Sequence, residues 1–265
     1  MDEIVVIDDA STDATAVEAA EAGARVVAES SILPAAGPGS GKGNALWKSL
    51  HACDGDLICW LDADVRDFRS HFVSSLVAPL LFHRGLVLTK GYYQRPLRGE
   101  HGGGGRVTEL VARPLLSHLF PTLAEVVQPL SGEYAVRRSA VETLPFVMGW
   151  GVEIGLLIDV CERFGFDAIA QVDLGVREHR NRPLADLGPQ ALAVLVTALR
   201  RAGLGPVEQE PAELVRFDPS YSPERVAVEV RERPPIATIA EYRARSGSGR
   251  RGGPGDLDAG LLDEE

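Results

Sequence analysis

The apolar run Leu57-Ile58-Cys59-Trp60 stops at Leu61-Asp62-Ala63-Asp64, and that ending constrains the chain more than any other feature. Four apolar residues of this kind read as a buried strand, and in extended backbone Asp62 and Asp64 project from the same side. Two carboxylates at a strand end can share one hard cation, Mg²⁺ or Mn²⁺, which keeps coordination positions open for diphosphate oxygens. A metal-bound diphosphate is a good leaving group, so the pattern suggests transfer from a nucleotide sugar. A solvated turn after a strand has the same composition, and the surroundings must decide between the two.

Those surroundings alternate strand with helix. Glu3 to Ile7 reads as a buried strand, Asp8-Asp9-Ala10-Ser11-Thr12-Asp13 supplies turn and helix-capping residues, and an Ala-rich helix follows until Gly23. Arg25 to Ala28 is a second strand, Ser31 to Gly43 a Pro/Gly-rich loop, and Ala45 to Ala52 a helix leading into the strand that carries Asp62 and Asp64. Strand patterns recur at Leu86 to Tyr93 and Ala168 to Val172, and helical spacing at Arg106 to Leu119, Val152 to Arg163 and Pro183 to Ala202. This order predicts an α/β fold, a doubly wound, mainly parallel sheet with helices on both faces and ligands at the carboxyl ends of its strands. Both acidic turns fall on that edge. Beyond Pro206 the pattern weakens, and the Gly/Arg/Ser-rich stretch from Arg245 predicts a disordered tail.

A net charge of −11 argues against broad attraction to nucleic acid or an anionic membrane, so any phosphate site must be local. Cys53, Cys59 and Cys161 are too few and too dispersed for a disulfide framework and read as buried free thiols of a cytoplasmic protein. No apolar stretch reaches the roughly 20 residues needed to cross a bilayer, and the first residues are acidic rather than a basic signal region.

Several segments carry candidate chemistry. Gly37-Pro38-Gly39-Ser40-Gly41-Lys42-Gly43 has the wrong glycine spacing for a P-loop, and Asn44 stands where a hydroxyl is required. Lys42 can nevertheless reach a diphosphate from just before a helix, or be an ordinary solvated lysine. Gly104-Gly105-Arg106-Val107-Thr108-Glu109 brings backbone N–H groups, a guanidinium and a hydroxyl to one helix start, which suits an acceptor with phosphate or carboxylate and equally describes a capped helix. In Arg177-Glu178-His179-Arg180-Asn181-Arg182, His179 could complete a metal shell, with Arg177 and Asn181 facing the same ligand. Glu153, an acid among apolar residues at a helix start, either meets a sugar or acceptor hydroxyl or complements the helix dipole.

Together these residues resemble the glucosyl-3-phosphoglycerate synthases, retaining GT-A glycosyltransferases of actinobacterial type. The likeness runs from about Asp2 to Gly203, most specifically through Gly105 to Leu116, Gly151 to Leu157 and Leu174 to Leu184. It implies that UDP-glucose donates glucose to the 2-hydroxyl of 3-phosphoglycerate with retention, with Mg²⁺ or Mn²⁺ bridging the diphosphate. It further implies metal ligands at Asp64 and His179, nucleotide contacts at Asp9, Lys42 and Asp62, and an acceptor pocket of Gly105, Arg106, Thr108 and Asn181. Glu153 matches a family acid near the reacting sugar, with Asp64 beside it in the catalytic set. A homodimer and a place in methylglucose lipopolysaccharide biosynthesis are likewise implied.

Divided accordingly, residues 1–95 form the nucleotide-sugar part, 96–205 the acceptor-binding and catalytic part, 206–244 a C-terminal extension and 245–265 the tail. The family begins with one further strand and a uridine-holding turn, and the resemblance implies that this chain starts at what is the second strand of the family. That leaves as alternatives a truncated or degenerate GT-A module that binds without turnover, or a transferase using GDP-mannose or another acidic acceptor. Ala63 stands where the family has Ser, with its side chain expected to point away from the metal.

Overall fold

The computed structural model describes residues 1–65, 67–94, 105–176, 183–205 and 211–249. In chain order the elements are β1 Val5–Asp8, α1 Thr15–Glu21, β2 Arg25–Ala28, α2 Lys42–Ala52, β3 Leu57–Trp60, α3 His71–Phe82, β4 Leu88–Gln94, α4 Arg113–Leu119 and β5 Tyr134–Arg137. They continue with α5 Arg138–Val141, β6 Phe146–Val147, α6 Val152–Phe164, β7 Ile169–Val176, α7 Gly188–Arg201, β8 Ala212–Phe217, β9 Pro223–Val228, β10 Glu232–Arg233 and α8 Ala240–Gly249.

The central sheet has the order β3-β5-β4-β7. Its pleat divides the side chains between two cores. Ile58, Trp60, Tyr134 and Val136 join the larger cluster with Trp47 and Leu50 of α2 and Leu156 and Val160 of α6. Leu57, Cys59 and Ala135, which alternate with them along the strands, face Phe72, Leu76 and Leu80 of α3. Helices thus cover both faces, and burial on both sides is why the strands read as continuous apolar runs.

The expected α/β class is borne out, with one difference inside the sheet. β4 and β7 are parallel, but β5 runs antiparallel to both β3 and β4, so the pairing is mixed rather than mainly parallel. β1 and β2 form a separate parallel pair that is only half-buried, where a buried first strand was expected. α2 begins at Lys42 and not at Ala45, because Gly41, at φ +88, turns the loop into the helix in a conformation glycine adopts without strain. The three cysteines are free, as expected, but half-buried.

The C-terminal part is tied down rather than loose. β10 pairs with β6, and Arg233 reaches back from it to Asn44 Oδ1 at 2.8 Å and to the carbonyls of Ala36 and Gly37 at 2.6 and 2.9 Å. Tyr242 of α8 donates to Glu142 at 2.6 Å, and Arg245 pairs with Asp54 at 2.6 Å. Of the tail expected to be disordered from Arg245, residues 245–249 instead continue α8, which packs its buried Tyr242 onto the main core, and residues 250–265 lie outside the described residues. No helix among the described residues is long and apolar enough to cross a membrane.

Candidate active site

Lys42 opens α2, Glu153 lies in the first turn of α6, and the two helix starts abut. Gly43 leaves no room for a side chain, since a Cβ there would come within 2.9 Å of Val152 Cβ, and the Asn44 N–H donates to Met148 O at 2.9 Å. That approach brings Lys42 Nζ to 2.6 Å from Glu153 Oε1. Asp62 enters from the end of β3, with its Oδ1 2.5 Å from the same ammonium. Asp62 is held from behind by the turn before β5: a Cβ on Gly132 would lie 2.5 Å from both its Cγ and its Oδ1.

Burial is graded across this trio. The Glu153 side chain is 6 % exposed and that of Asp62 29 %, so the cluster opens to solvent on the strand-end side. Burial alone would favour a neutral amine at Lys42, but Glu153 and Asp62 outweigh it and hold the ammonium well above its ordinary range. Glu153 Oε1 accepts no aligned hydrogen bond, and the buried Tyr134 hydroxyl has no partner among the described residues. Burial, then the Glu153 charge, pushes that phenol well above its usual pKa.

Asp64 is exposed two residues beyond Asp62 on the same turn. Hard carboxylate oxygens at an open strand end fit Mg²⁺ or Mn²⁺ by their chemistry, although no group of three metal-capable side chains occurs among the described residues. His179 and Asn181, and with His179 the expected second metal ligand, lie outside the described residues. Of the acceptor set, Gly105 has φ +81, Arg106 is half-buried, and Thr108 is buried at the start of a π-helical turn, Thr108–Ala112, that runs into α4. Such a turn widens the helix and is frequent at functional sites. Asp9 is exposed in the turn after β1, and no hydrogen bond or ion pair joins it to Lys42, Asp62 or Glu153.

Sequence reasoning passed over the residues that underlie the trio. Lys90 stands on β4 opposite Tyr134 of β5, and Ser131, Gly132 and Glu133 form the turn between them and Asp62. A lysine within the apolar run Leu86 to Tyr93 and a glutamate in a short Gly/Ser turn were the available signals.

Residues 1–143 match the model of the family described as Glycosyl transferase family 2. The α/β fold with its strand-end carboxylates is accordingly that of a GT-A glycosyltransferase. Glucosyl-3-phosphoglycerate synthase of Mycolicibacterium smegmatis is 46% identical over 243 residues, 90% of this chain and 80% of that protein. The crystal structure of the Mycobacterium tuberculosis glucosyl-3-phosphoglycerate synthase with Mn²⁺, uridine-diphosphate-glucose and phosphoglyceric acid superposes with a TM-score of 0.81 at 47% identity, covering 90% of this chain and 80% of that one. The same enzyme with Mn²⁺, uridine-diphosphate and glucosyl-3-phosphoglycerate gives 0.81 at 46% identity, covering 90% and 81%. The chain belongs to the glucosyl-3-phosphoglycerate synthases, a family of hexosyltransferases, and the resemblance read from the sequence is borne out.

Proposed function

We propose that this protein transfers glucose from UDP-glucose to the 2-hydroxyl of 3-phosphoglycerate with retention at the anomeric carbon. The observation that carries the reading is the convergence of Lys42, Asp62 and Glu153, three residues from distant parts of the chain, beside an exposed Asp64 at one strand end. Ligand identities in the related crystal structures support the choice of donor, acceptor and Mn²⁺. Asp64 would hold Mg²⁺ or Mn²⁺ together with His179, and the bound cation would neutralise charge building on the departing diphosphate.

The chain's own groups divide the remaining work. Lys42, kept cationic by its two carboxylates, meets the diphosphate, while Asp62 and Asp9 contact the nucleotide. Gly105, Arg106, Thr108 and Asn181 grip the acceptor's phosphate and carboxylate, with the guanidinium giving two-point recognition. Glu153 sits next to the reacting sugar and orients it. The bond from the anomeric carbon to the diphosphate oxygen breaks as the bond to the acceptor's 2-oxygen forms on the same face, and the leaving phosphate oxygen takes the hydroxyl proton. Preorganised charge and alignment of the two substrates supply the rate.

On this reading residues 1–95 serve the donor and 96–205 the acceptor. The protein is cytoplasmic, acts in methylglucose lipopolysaccharide biosynthesis and pairs as a homodimer. An open groove of about 690 Å³ between α4 and α7, lined by Leu110, Leu115, Leu119, Leu192 and Leu195, supports the dimer as a face needing cover. Incubating the protein with UDP-glucose, 3-phosphoglycerate and Mn²⁺ tests the reaction. An α-linked glucosyl-3-phosphoglycerate in the proton NMR spectrum is expected, and no product, or a β-linked one, contradicts it.

A further inference from the structure

Lys90 is 2 % exposed and lies on β4 between β5 and β7, a place where packing calls for an apolar side chain. Its Nζ donates to Ser131 O at 2.9 Å and stands 4.6 Å from the centre of the Tyr134 ring, and it forms no ion pair among the described residues. Ser131 is followed by Gly132, the residue pressed against the Asp62 carboxylate, and its hydroxyl donates to Glu133 Oε2 at 3.2 Å. Glu153, Lys42, Glu133 and Asp62 all lie within electrostatic reach, so Lys90 stands behind the trio at the strand end.

We propose that Lys90 is a positioning residue for glucosyl transfer, which fixes the Ser131-Gly132 turn behind Asp62 and holds a positive charge behind Glu153. The proposal rests on the function given above. A buried ammonium with one carbonyl and one ring face for company costs folding free energy, and burial pushes Lys90 down to about 8. A methionine of similar length would fill the site without that cost. The lysine thus serves something other than packing, and the turn it grips is the one that backs a residue of the site. Loss of the grip lets Asp62 move away from Lys42, and loss of the charge removes a second ammonium that attracts Glu153 beside Lys42.

The test compares Lys90→Met and Lys90→Gln with the wild-type protein, measuring Tm and initial rates of glucosyl-3-phosphoglycerate formation over both substrates. Lys90→Met is expected to keep or raise Tm while kcat falls about tenfold or more, with KM for 3-phosphoglycerate unchanged. Should Lys90→Met not fold, Lys90→Gln, which still offers Ser131 an N–H donor, must fold and show the reduced kcat. Wild-type kcat in either variant, a Tm that falls with kcat, or failure of both to fold overturns the proposal. A wild type that forms no product overturns the function itself, which is distinct from an active wild type matched by an active Lys90→Met.

Discussion

Two clusters in this protein each place one cation between a buried carboxylate and a half-buried one, and they are built for opposite ends. Arg201 at the end of α7 grips Asp159 of α6 with Nε and Nη2 at 2.5 and 2.9 Å and Glu232 of β10 with Nη1 at 2.6 Å. The planar guanidinium matches the carboxylate edge and satisfies its partners where three elements are clamped together. Lys42 is a point charge between Asp62 and Glu153 that leaves Glu153 Oε1 without an aligned hydrogen bond beside a Tyr134 hydroxyl that has no partner among the described residues, at a strand end open to solvent. Charge composition is the same in both. Completeness differs, and the incomplete cluster is the one with capacity left for a ligand.

Removing the central cation from each cluster is the strongest way to break this comparison. Arg201→Met should cost about 3 kcal/mol of stability, because buried Asp159 and half-buried Glu232 lose their partner, while activity per folded molecule stays near wild type. Urea unfolding with parallel rate assays at low temperature checks it. Lys42→Met should reverse the pattern, lowering kcat/KM for UDP-glucose about 10²–10³-fold with a smaller change in urea midpoint. If both variants lose stability and activity together, the clusters are not different in kind.

Lys90 sharpens the contrast through pH. Its folded pKa of about 8 lies below the ordinary 10.5, so the ammonium disfavours folding below pH 8 and the penalty is relieved as pH rises from 8 toward 10.5. Relative to Lys90→Met, wild-type stability should gain up to about 3 kcal/mol across that window, read from urea midpoints at stepped pH. Gly132→Ala should displace Asp62 and reduce kcat/KM for UDP-glucose about tenfold, with acceptor KM unaffected. The exposed Glu109–Arg113 pair on the acceptor side sets the baseline for surface charge: Glu109→Gln should change stability by no more than about 0.5 kcal/mol.

How far the sequence anticipates the structure follows from what each signal depends on. Asp62, Lys42 and Glu153 are legible because strand ends and helix starts are local events, marked by a broken apolar run, a glycine loop and an acid at a helix start. Their meeting is not legible, since it depends on the close approach of Gly43 to Val147 and Val152. β5 hides in four residues between a turn and α5, too short for alternation to register, and its antiparallel direction makes the sheet mixed. α3 was not assigned because His71–Phe82 is apolar nearly throughout and contains Pro79, which blurs a 3.6-residue period. The β8–β9 hairpin alternates half-buried and exposed residues and was passed over with the weakening C-terminal signal. Lys90 carries no local signal of its role inside the strand pattern Leu86 to Tyr93, and only the register that sets it opposite Tyr134 reveals where it points.

The central claim, that the incomplete cluster at the end of β3 is the donor site, is tested most directly by calorimetric titration of UDP with and without Mn²⁺ into the wild-type protein and Asp64→Ala. Mn²⁺-dependent binding is expected in the wild type and is lost in Asp64→Ala, with Arg201→Met binding as the wild type does. Binding that ignores Mn²⁺ and survives Asp64→Ala, or no binding by the wild type, would contradict it.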